Sequence, residues 1–471
     1  MTPSPLPSIP ILSISFLLSA CTLTTVDENP ALPPAAKTEY ALDSEQQNSL
    51  RLVGVQDKDL SALINQVMAS NLNLAEAKAR LLQAEALADQ SRATLFPTLS
   101  VSTNYIQNEV VDDIGQGAGA EAGNASFAFA PDFMGRRRAA ARASRRDAFA
   151  AKGDFELTQL QLAHQVANAY YDAGEARENL RLLDIQIQSA DNLSEIAAER
   201  FAQGATNASD VLQQRDLVAS LKSQKPSFET LLYLAESRLD VLMAQTPDML
   251  PRGPKTVPLV DSDISPGLPG SLIERRPDIV AARERLIAAD YRVAEALAAY
   301  LPDFTLSASV NGPSFNVAGS IQSADTFILT MIADLSQTLY AGGARSAAKR
   351  GAKAAFDGAS AAYARTWLEA VAAVSDNLLQ EQYQQERTEL LEARFTTASA
   401  ALESAQANYA FGAADFTSVL TAQQSLLQAQ SNLLAARRDV MLFRLNLLQA
   451  LGAYPDGTVI PPLSSSQTGA T

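Results

Sequence analysis

A long-range repeat limits what this chain can fold into. Phe96-Pro97-Thr98-Leu99-Ser100-Val101-Ser102 is matched by Leu301-Pro302-Asp303-Phe304-Thr305-Leu306-Ser307, with the prolines 205 residues apart. Arg200-Phe201-Ala202-Gln203-Gly204 is matched by Asn408-Tyr409-Ala410-Phe411-Gly412, with the glycines 208 residues apart. The stretch from Leu74 to Leu81 pairs with Ile279 to Leu286 in the same order. Helix-type and strand-type segments recur in one sequence, so the chain is a duplicated unit rather than a set of unrelated domains.

Each copy predicts the same elements. A helix over 58–94 or 277–299 ends at Pro97 or Pro302, because the residue before a proline avoids the helical region. A strand with period 2 follows. Leu99, Val101 and Tyr105 alternate with Ser100, Ser102 and Asn104; Phe304, Leu306, Ala308 and Val310 alternate with Thr305, Ser307, Ser309 and Asn311. Loops over 107–124 and 312–325 lead to returning strands, marked by Phe127 and Phe129 and by Phe327, Leu329, Met331, Ala333 and Leu335. These strands approach the ~9–11 residues that cross a bilayer when tilted. The same alternation also fits a hairpin on a soluble core.

Past Gly135 and Gly343 no proline occurs until the Gly204 and Gly412 turns. A helix over such a span is roughly 100 Å long and needs coiled-coil-like partners. Leu180, Leu183, Ile187, Ala190, Ser194, Ala197 and Phe201 form an a/d seam with small residues. In the last helix of copy two, Val419, Leu426, Leu433, Val440 and Leu447 recur every seven residues, as do Leu420, Leu427, Leu434, Met441 and Leu448. Two adjoining stripes suit a stave with a neighbour on each side, or a helix buried in a four-helix bundle. Gln423, Gln430, Arg437 and Arg444 form a third face expected to meet water.

Composition narrows the function. The 471 residues include one His and one Cys, so a Cys/His zinc site and an intrachain disulfide are both excluded. The only His, His164, lies in a long helix, where it is expected at a surface or groove without a catalytic role. The net charge of −15 argues against nucleic acid as a partner. No phosphate-binding glycine motif occurs. The expectation is a non-enzyme with no cofactor and no metal.

Residues 9–20 form an apolar stretch too short to span a bilayer and of signal-peptide length. It ends in Leu18-Ser19-Ala20-Cys21, which resembles a bacterial lipobox, with Cys21 as the lipidation site. Departing from the signal pattern, no Lys or Arg precedes the apolar core. Thr22 fits outer-membrane sorting. The alternative is a secretory signal beside an unmodified cysteine. No other apolar run reaches about 20 residues, so no transmembrane helix is expected. The domain reading is a lipoprotein signal over 1–20 and an extended leader over 21–57. A first repeat over 58–250, a linker over 251–276, a second repeat over 277–453 and a tail over 454–471 complete it.

Four spanning strands cannot close a barrel, and an open edge in lipid leaves backbone groups unpaired. Transmembrane strands therefore require an oligomer. Three chains would give a mainly α trimer in which a 12-stranded membrane β-barrel is continued by a periplasmic α-helical barrel.

Leu272-Ile273-Glu274-Arg275-Arg276-Pro277-Asp278-Ile279-Val280-Ala281-Ala282-Arg283 resembles the segment that opens the second repeat of the TolC/OprM-type outer membrane factor family. Lys225-Pro226-Ser227-Phe228-Glu229 and Leu239-Asp240-Val241-Leu242 resemble its lipoprotein branch, the NodT-like one that serves RND drug pumps. The resemblance covers essentially the whole chain. It implies an outer-membrane homotrimer in lipid, docked by a periplasmic adaptor and an inner-membrane RND pump and passing drugs or other small molecules outward. It also implies a tip constriction at the helix–helix turns, with Phe201, Gly204, Phe411 and Gly412 as adaptor-docking positions. Asp210 is carried over as the hydrogen-bond partner of Tyr409. The family's acidic ring falls on the uncharged Ser418 and Thr421, leaving Asp415 as a substitute, and its arginine partner falls on Ala414. Arg136, Arg137, Arg138 and Arg345 begin the long helices and suit either lipid headgroups or a solvated face. The alternatives are the duct of a type I protein-secretion system and, from another class, a lipid-anchored coiled-coil scaffold without a pore.

Overall fold

The computed structural model describes residues 55, 57–108, 118–248, 250–258, 273–316 and 328–458. The signal segment, Cys21, most of the leader, residues 109–117 and 317–327 between the strands and the tail beyond 458 lie outside the described residues, whereas 107–108, 118–124 and 312–316, expected as loop, are strand, because pairing carries the ladder further than the apolar alternation marks. The described chain runs α1 (Lys58–Ser70), α2 (Leu72–Ala93), β1 (Thr98–Asn108), β2 (Ala118–Phe129), α3 (Arg136–Ala202), α4 (Ala208–Leu242) and α5 (Pro277–Ala298). It continues through β3 (Asp303–Asn316), β4 (Ile328–Ser336), α6 (Ala344–Ala410) and α7 (Phe416–Ala450). It divides into two compact units, one from residues 81–151 and 282–363, the other from the remaining described residues.

In the first unit the strands form one antiparallel sheet in the order β1-β2-β3-β4. The alternation fixes its register, since a one-residue slip would exchange the two faces. Leu99 pairs with Phe127, Phe127 with Ala308, and Ala308 with Met331. Ser100, Ser126, Ser309 and Thr330 form the neighbouring row. One face is thus a band of Leu, Val, Phe, Ala and Met. The other is rich in Ser and Thr, with the Ser100 and Ser126 hydroxyls 2.7 Å apart. None of the described residues covers the apolar face: Leu99 is 77%, Val101 80% and Met331 76% exposed.

Where the strands end, helices are braced to them. The Arg137 guanidinium donates to both carboxylate oxygens of Asp303, at 3.1 and 3.2 Å, and Phe133 meets Phe304 edge-on at 5.6 Å. Below this, Ala143 of α3 packs on Ile287 and Tyr291 of α5, and Arg146 pairs with the buried Glu284 at 2.9 Å. Small residues on α3 (Ala139, Ala143, Ala150) are buried, which lets the backbones approach closely.

The second unit holds the main core, where Leu60, Val67, Val166, Tyr171, Leu239, Met243, Met441 and Leu445 pack together. The single first helix expected over 58–94 is instead two. Asn71 breaks it, because its Oδ1 accepts from the Leu74 amide at 3.0 Å while its Nδ2 donates to the Leu242 carbonyl at 2.8 Å. A side chain that caps a new helix and ties it to α4 outcompetes one more turn of continuous helix. The Arg-Arg-Pro-Asp motif opens α5 with proline at its first position, where a missing N–H costs nothing. Arg276 grips Asp278 through two bonds, at 2.7 and 3.1 Å, and also donates to the Ala450 carbonyl at the end of α7. Pro226 sits inside α4 without ending it.

A second expectation is corrected here. The third face of α7 meets water only in part, at Gln430 and Arg437. Gln423 and Arg444 are buried, and Arg444 Nε donates to Glu381 of α6 at 2.6 Å. Gln430 accepts from Gln186 at 2.9 Å, and Arg437 pairs with Glu392 at 2.9 Å. All but Gln423 of the polar residues on this face bridge to the long helices. The α7 residues left exposed are Thr417, Ser418, Thr421, Gln424, Ser425, Gln428 and Ser431.

Candidate functional site: the helical tips

The two helix–helix turns have one geometry. Gly204 and Gly412 adopt φ +73° and +72°, in the left-handed region that side chains disfavour. Ala205 N donates to Arg200 O at 2.8 Å, and Ala413 N donates to Asn408 O at 2.8 Å, closing both helix ends in the same manner. Phe201 is half-exposed and Phe411 is 87% exposed at these turns. Two aromatic side chains in water at loop tips are a candidate contact surface.

The expected bond between Asp210 and Tyr409 is absent. The Asp210 carboxylate is taken up by the Thr206 hydroxyl one turn earlier, while Asn207 Oδ1 accepts from the Asp210 amide at 3.0 Å. Asp210 thus completes its own helix start. Tyr409 is engaged through its ring. It meets Phe416 edge-on at 5.4 Å and carries the Arg200 guanidinium 4.2 Å from its centroid. Its hydroxyl is buried with no hydrogen-bond partner. Around it Ala197, Val211, Phe416 and Val419 form a small core joining α3, α4 and α7, with Tyr409 of α6 packed against it.

Asp415 precedes α7, but its carboxylate makes no cap hydrogen bond, and Ser418 and Thr421 are exposed on the first turns of that helix. The Thr421 hydroxyl donates back to the Thr417 carbonyl at 2.8 Å. Arg200 was missed at the sequence level. Its signal was its place as the only base in the last turn of α3, where a cation complements the helix end.

The basic positions near the strands divide. Arg137 and Arg138 are held by Asp303 and Asp132, Arg345 donates to the Thr338 carbonyl at 2.5 Å, and Arg136 is exposed. His164 corrects a third expectation. It lies 1% exposed in the second unit's core, with Nε2 2.8 Å from the Ala453 carbonyl. Burial lowers its pKa to about 4, opposed by the bond to Ala453. It is a neutral structural imidazole. Among the described residues no group of His, Cys, Asp and Glu is placed to hold a metal ion, and no helix is long and apolar enough to cross a membrane.

The pattern of duplicated hairpins and long helices has counterparts. The family model for outer membrane efflux proteins matches residues 63–245 and 268–453. The chain is similar to the pyoverdine export outer membrane protein OpmQ of Pseudomonas aeruginosa. The two are 28% identical over 336 residues, covering 68% of this chain and 69% of that protein. It is similar also to outer membrane protein OprJ of the same organism, with 26% identity over 459 residues and 94% of each chain covered. Among solved structures, CusC superimposes with a TM-score of 0.81 at 20% identity over 90% of this chain and 99% of that one, a likeness of fold. A sheet whose apolar face none of the described residues covers, two prolonged helical hairpins and a family match to both repeats converge on one assignment: this chain belongs to the outer membrane efflux protein family and is the outer-membrane exit duct of an efflux system.

Proposed function

We propose that three copies close around a common axis as the outer-membrane member of a tripartite pump. A periplasmic adaptor and an inner-membrane RND-type pump act at its other end, and small molecules pass through the bore. The observation that carries the reading is the sheet. Its outer strands β1 and β4 have one free edge each, and its apolar face lies open. Lipid would cover that face, and neighbouring copies would pair the edges, since an unpaired edge is not tolerated in hydrocarbon. Twelve strands and the paired long helices follow from three copies.

In this reading the signal over 1–20 is removed and Cys21 carries the acyl chains, which together hold more firmly than one chain would. Phe201, Gly204, Phe411 and Gly412 form the adaptor-facing turns. Asp415, Ser418 and Thr421 stand at the mouth of the bore, with Asp415 as its acidic member. Arg136 and Arg345 face lipid headgroups, while Arg137 and Arg138 stiffen the strand-to-helix junction. OpmQ is named for pyoverdine export, which makes a small organic solute a fitting cargo class.

The test is single-channel recording of detergent-purified protein in planar bilayers, with the oligomer counted by native mass spectrometry. Discrete conductance steps from a trimer support the duct. A folded, heat-resistant oligomer that never conducts supports a scaffold instead.

A further inference from the structure

The tips of the two helical hairpins must be held together if the bore is to close, and this chain lacks the pair expected to hold them. Asp210 is occupied by Thr206, and the position expected to carry an arginine is Ala414. We propose that Arg200 on the face of Tyr409 holds the two hairpins together in each protomer, with Asp210 outside the tie. The inference rests on the duct reading above and adds to it the residues that govern opening.

Three contacts converge on this pair. The Arg200 guanidinium carbon lies 4.2 Å from the Tyr409 ring centroid, well inside the ~6 Å range for attraction between a cation and an aromatic face. Arg200 Nη1 also donates to the Tyr409 carbonyl at 3.2 Å, so one side chain of α3 grips both the ring and the backbone near the end of α6. The same ring makes the edge-on contact with Phe416 of α7. A single ring thus joins the end of the first long helix to both helices of the second hairpin. Among the described residues no ion pair is formed by Arg200, so the ring has no carboxylate competing for the guanidinium.

The chemistry separates this tie from a phenol-to-carboxylate link. A hydroxyl-to-carboxylate link needs the Tyr409 oxygen, whereas the cation needs only the ring. The oxygen is buried without a partner. Removing it therefore loses no hydrogen bond within the protomer.

The experiment compares Arg200→Gln, Tyr409→Leu, Tyr409→Phe and Asp210→Ala with the unaltered full-length oligomer. Open-channel lifetime is read in planar bilayers, and amide exchange over residues 405–413 is read by mass spectrometry. Arg200→Gln and Tyr409→Leu are expected to lengthen opening and to speed exchange by roughly tenfold, the factor that one such contact supplies. Tyr409→Phe and Asp210→Ala are expected to stay within about twofold of the unaltered protein. Where Arg200→Gln does not assemble, Arg200→Lys keeps the cation without the fork and is expected to fall between the two groups.

Opening by Tyr409→Phe equal to that of Tyr409→Leu, or opening by Asp210→Ala, would overturn the proposal in favour of the carboxylate link. If no form conducts, the duct reading fails, while the exchange data still decide the tie. Exchange in Arg200→Gln equal to that of the unaltered protein would sink it.

Discussion

Glu236 and Arg444 stand at the same place in the two repeats, 208 residues apart, and carry opposite charges. Glu236 of α4 pairs with Arg177 of α3 at 2.6 Å, and Arg444 of α7 pairs with Glu381 of α6 at 2.6 Å. At this level both hairpins are bridged by an arginine–glutamate pair, but the sign has turned over. The surroundings differ as well. Arg177 also donates to the Gly253 and Pro254 carbonyls, clamping the chain that leaves the first repeat. The second pair is more completely enclosed, at 3% and 1% exposure. Burial raises the pKa of both Glu236 and Glu381, against the pull of their arginines. Duplication has kept the requirement for a bridge and let go of the residues that meet it. Gly153 and Gly358, 205 residues apart, show the same divergence in packing. A Cβ on Gly153 would come within 2.9 Å of the Pro277 carbonyl, whereas one on Gly358 meets nothing within 4 Å. Copy one has its neighbour within the chain, and copy two presents the equivalent surface to the outside.

Substitutions can break these comparisons, beginning with the largest effect. Gly358→Leu should not lower the melting of the isolated protomer, since leucine also favours the helix over glycine, yet should abolish the heat-resistant oligomer on a gel. Overpacking of about 1–3 kcal/mol would then recur at each of three interfaces. Arg444→Ala leaves Glu381 buried and unpaired and should lower unfolding stability by about 3–5 kcal/mol in denaturant titration. Glu236→Ala should cost less, because Arg177 keeps its two carbonyls. Equal losses would mean that the extra contacts are idle.

Acid provides a third test, directed at the core around α7. The His164 pKa is lowered to about 4 in the fold, so the unfolded chain binds the proton first as pH falls. The contribution of neutral His164 is present above about pH 6.5 and is lost as pH drops to about 4, by roughly 3 kcal/mol. The raised carboxylates Glu175, Glu236 and Glu381 act in the opposite sense. The measurement is therefore the difference between the unaltered protein and His164→Gln across this window, and a flat difference would contradict it. The smallest effect is a pair of opposite sign. Gly153→Ala should destabilise by about 1–3 kcal/mol, and Gly358→Ala should stabilise the protomer by about 0.5–1 kcal/mol, because helical alanine restricts the unfolded chain.

The repeat, the strands and the long helices were legible because each leaves a period in the sequence. The Pro97 and Pro302 boundaries, the Ser/Leu alternation and the a/d seam through Leu183, Ala190 and Ala197 all appear where the pattern puts them. Burial of polar residues was not legible. The polarity of Gln423, Arg444 and His164 points to water, whereas the fold buries all three, with Glu381 bonded to Arg444 and the Ala453 carbonyl to His164 from far along the chain. Asn71 was unreadable as a break, because its second partner, Leu242, is 171 residues away. At the tip, Asp210 was assigned a distant partner although Thr206 stood one turn behind it, and a local bond forms with less ordering than a remote one.

The sheet has a further consequence, for the order of events during biogenesis. With Leu99, Val101 and Met331 uncovered on one side and a hydroxyl-rich row on the other, it gains little by folding alone in water. The second unit has its own buried cluster and does not wait for a bilayer. A newly exported chain would therefore travel with its stalk largely structured and its hairpins unmade. Pairing of the free edges of β1 and β4 would then have to accompany insertion, since an unpaired edge is not tolerated in hydrocarbon.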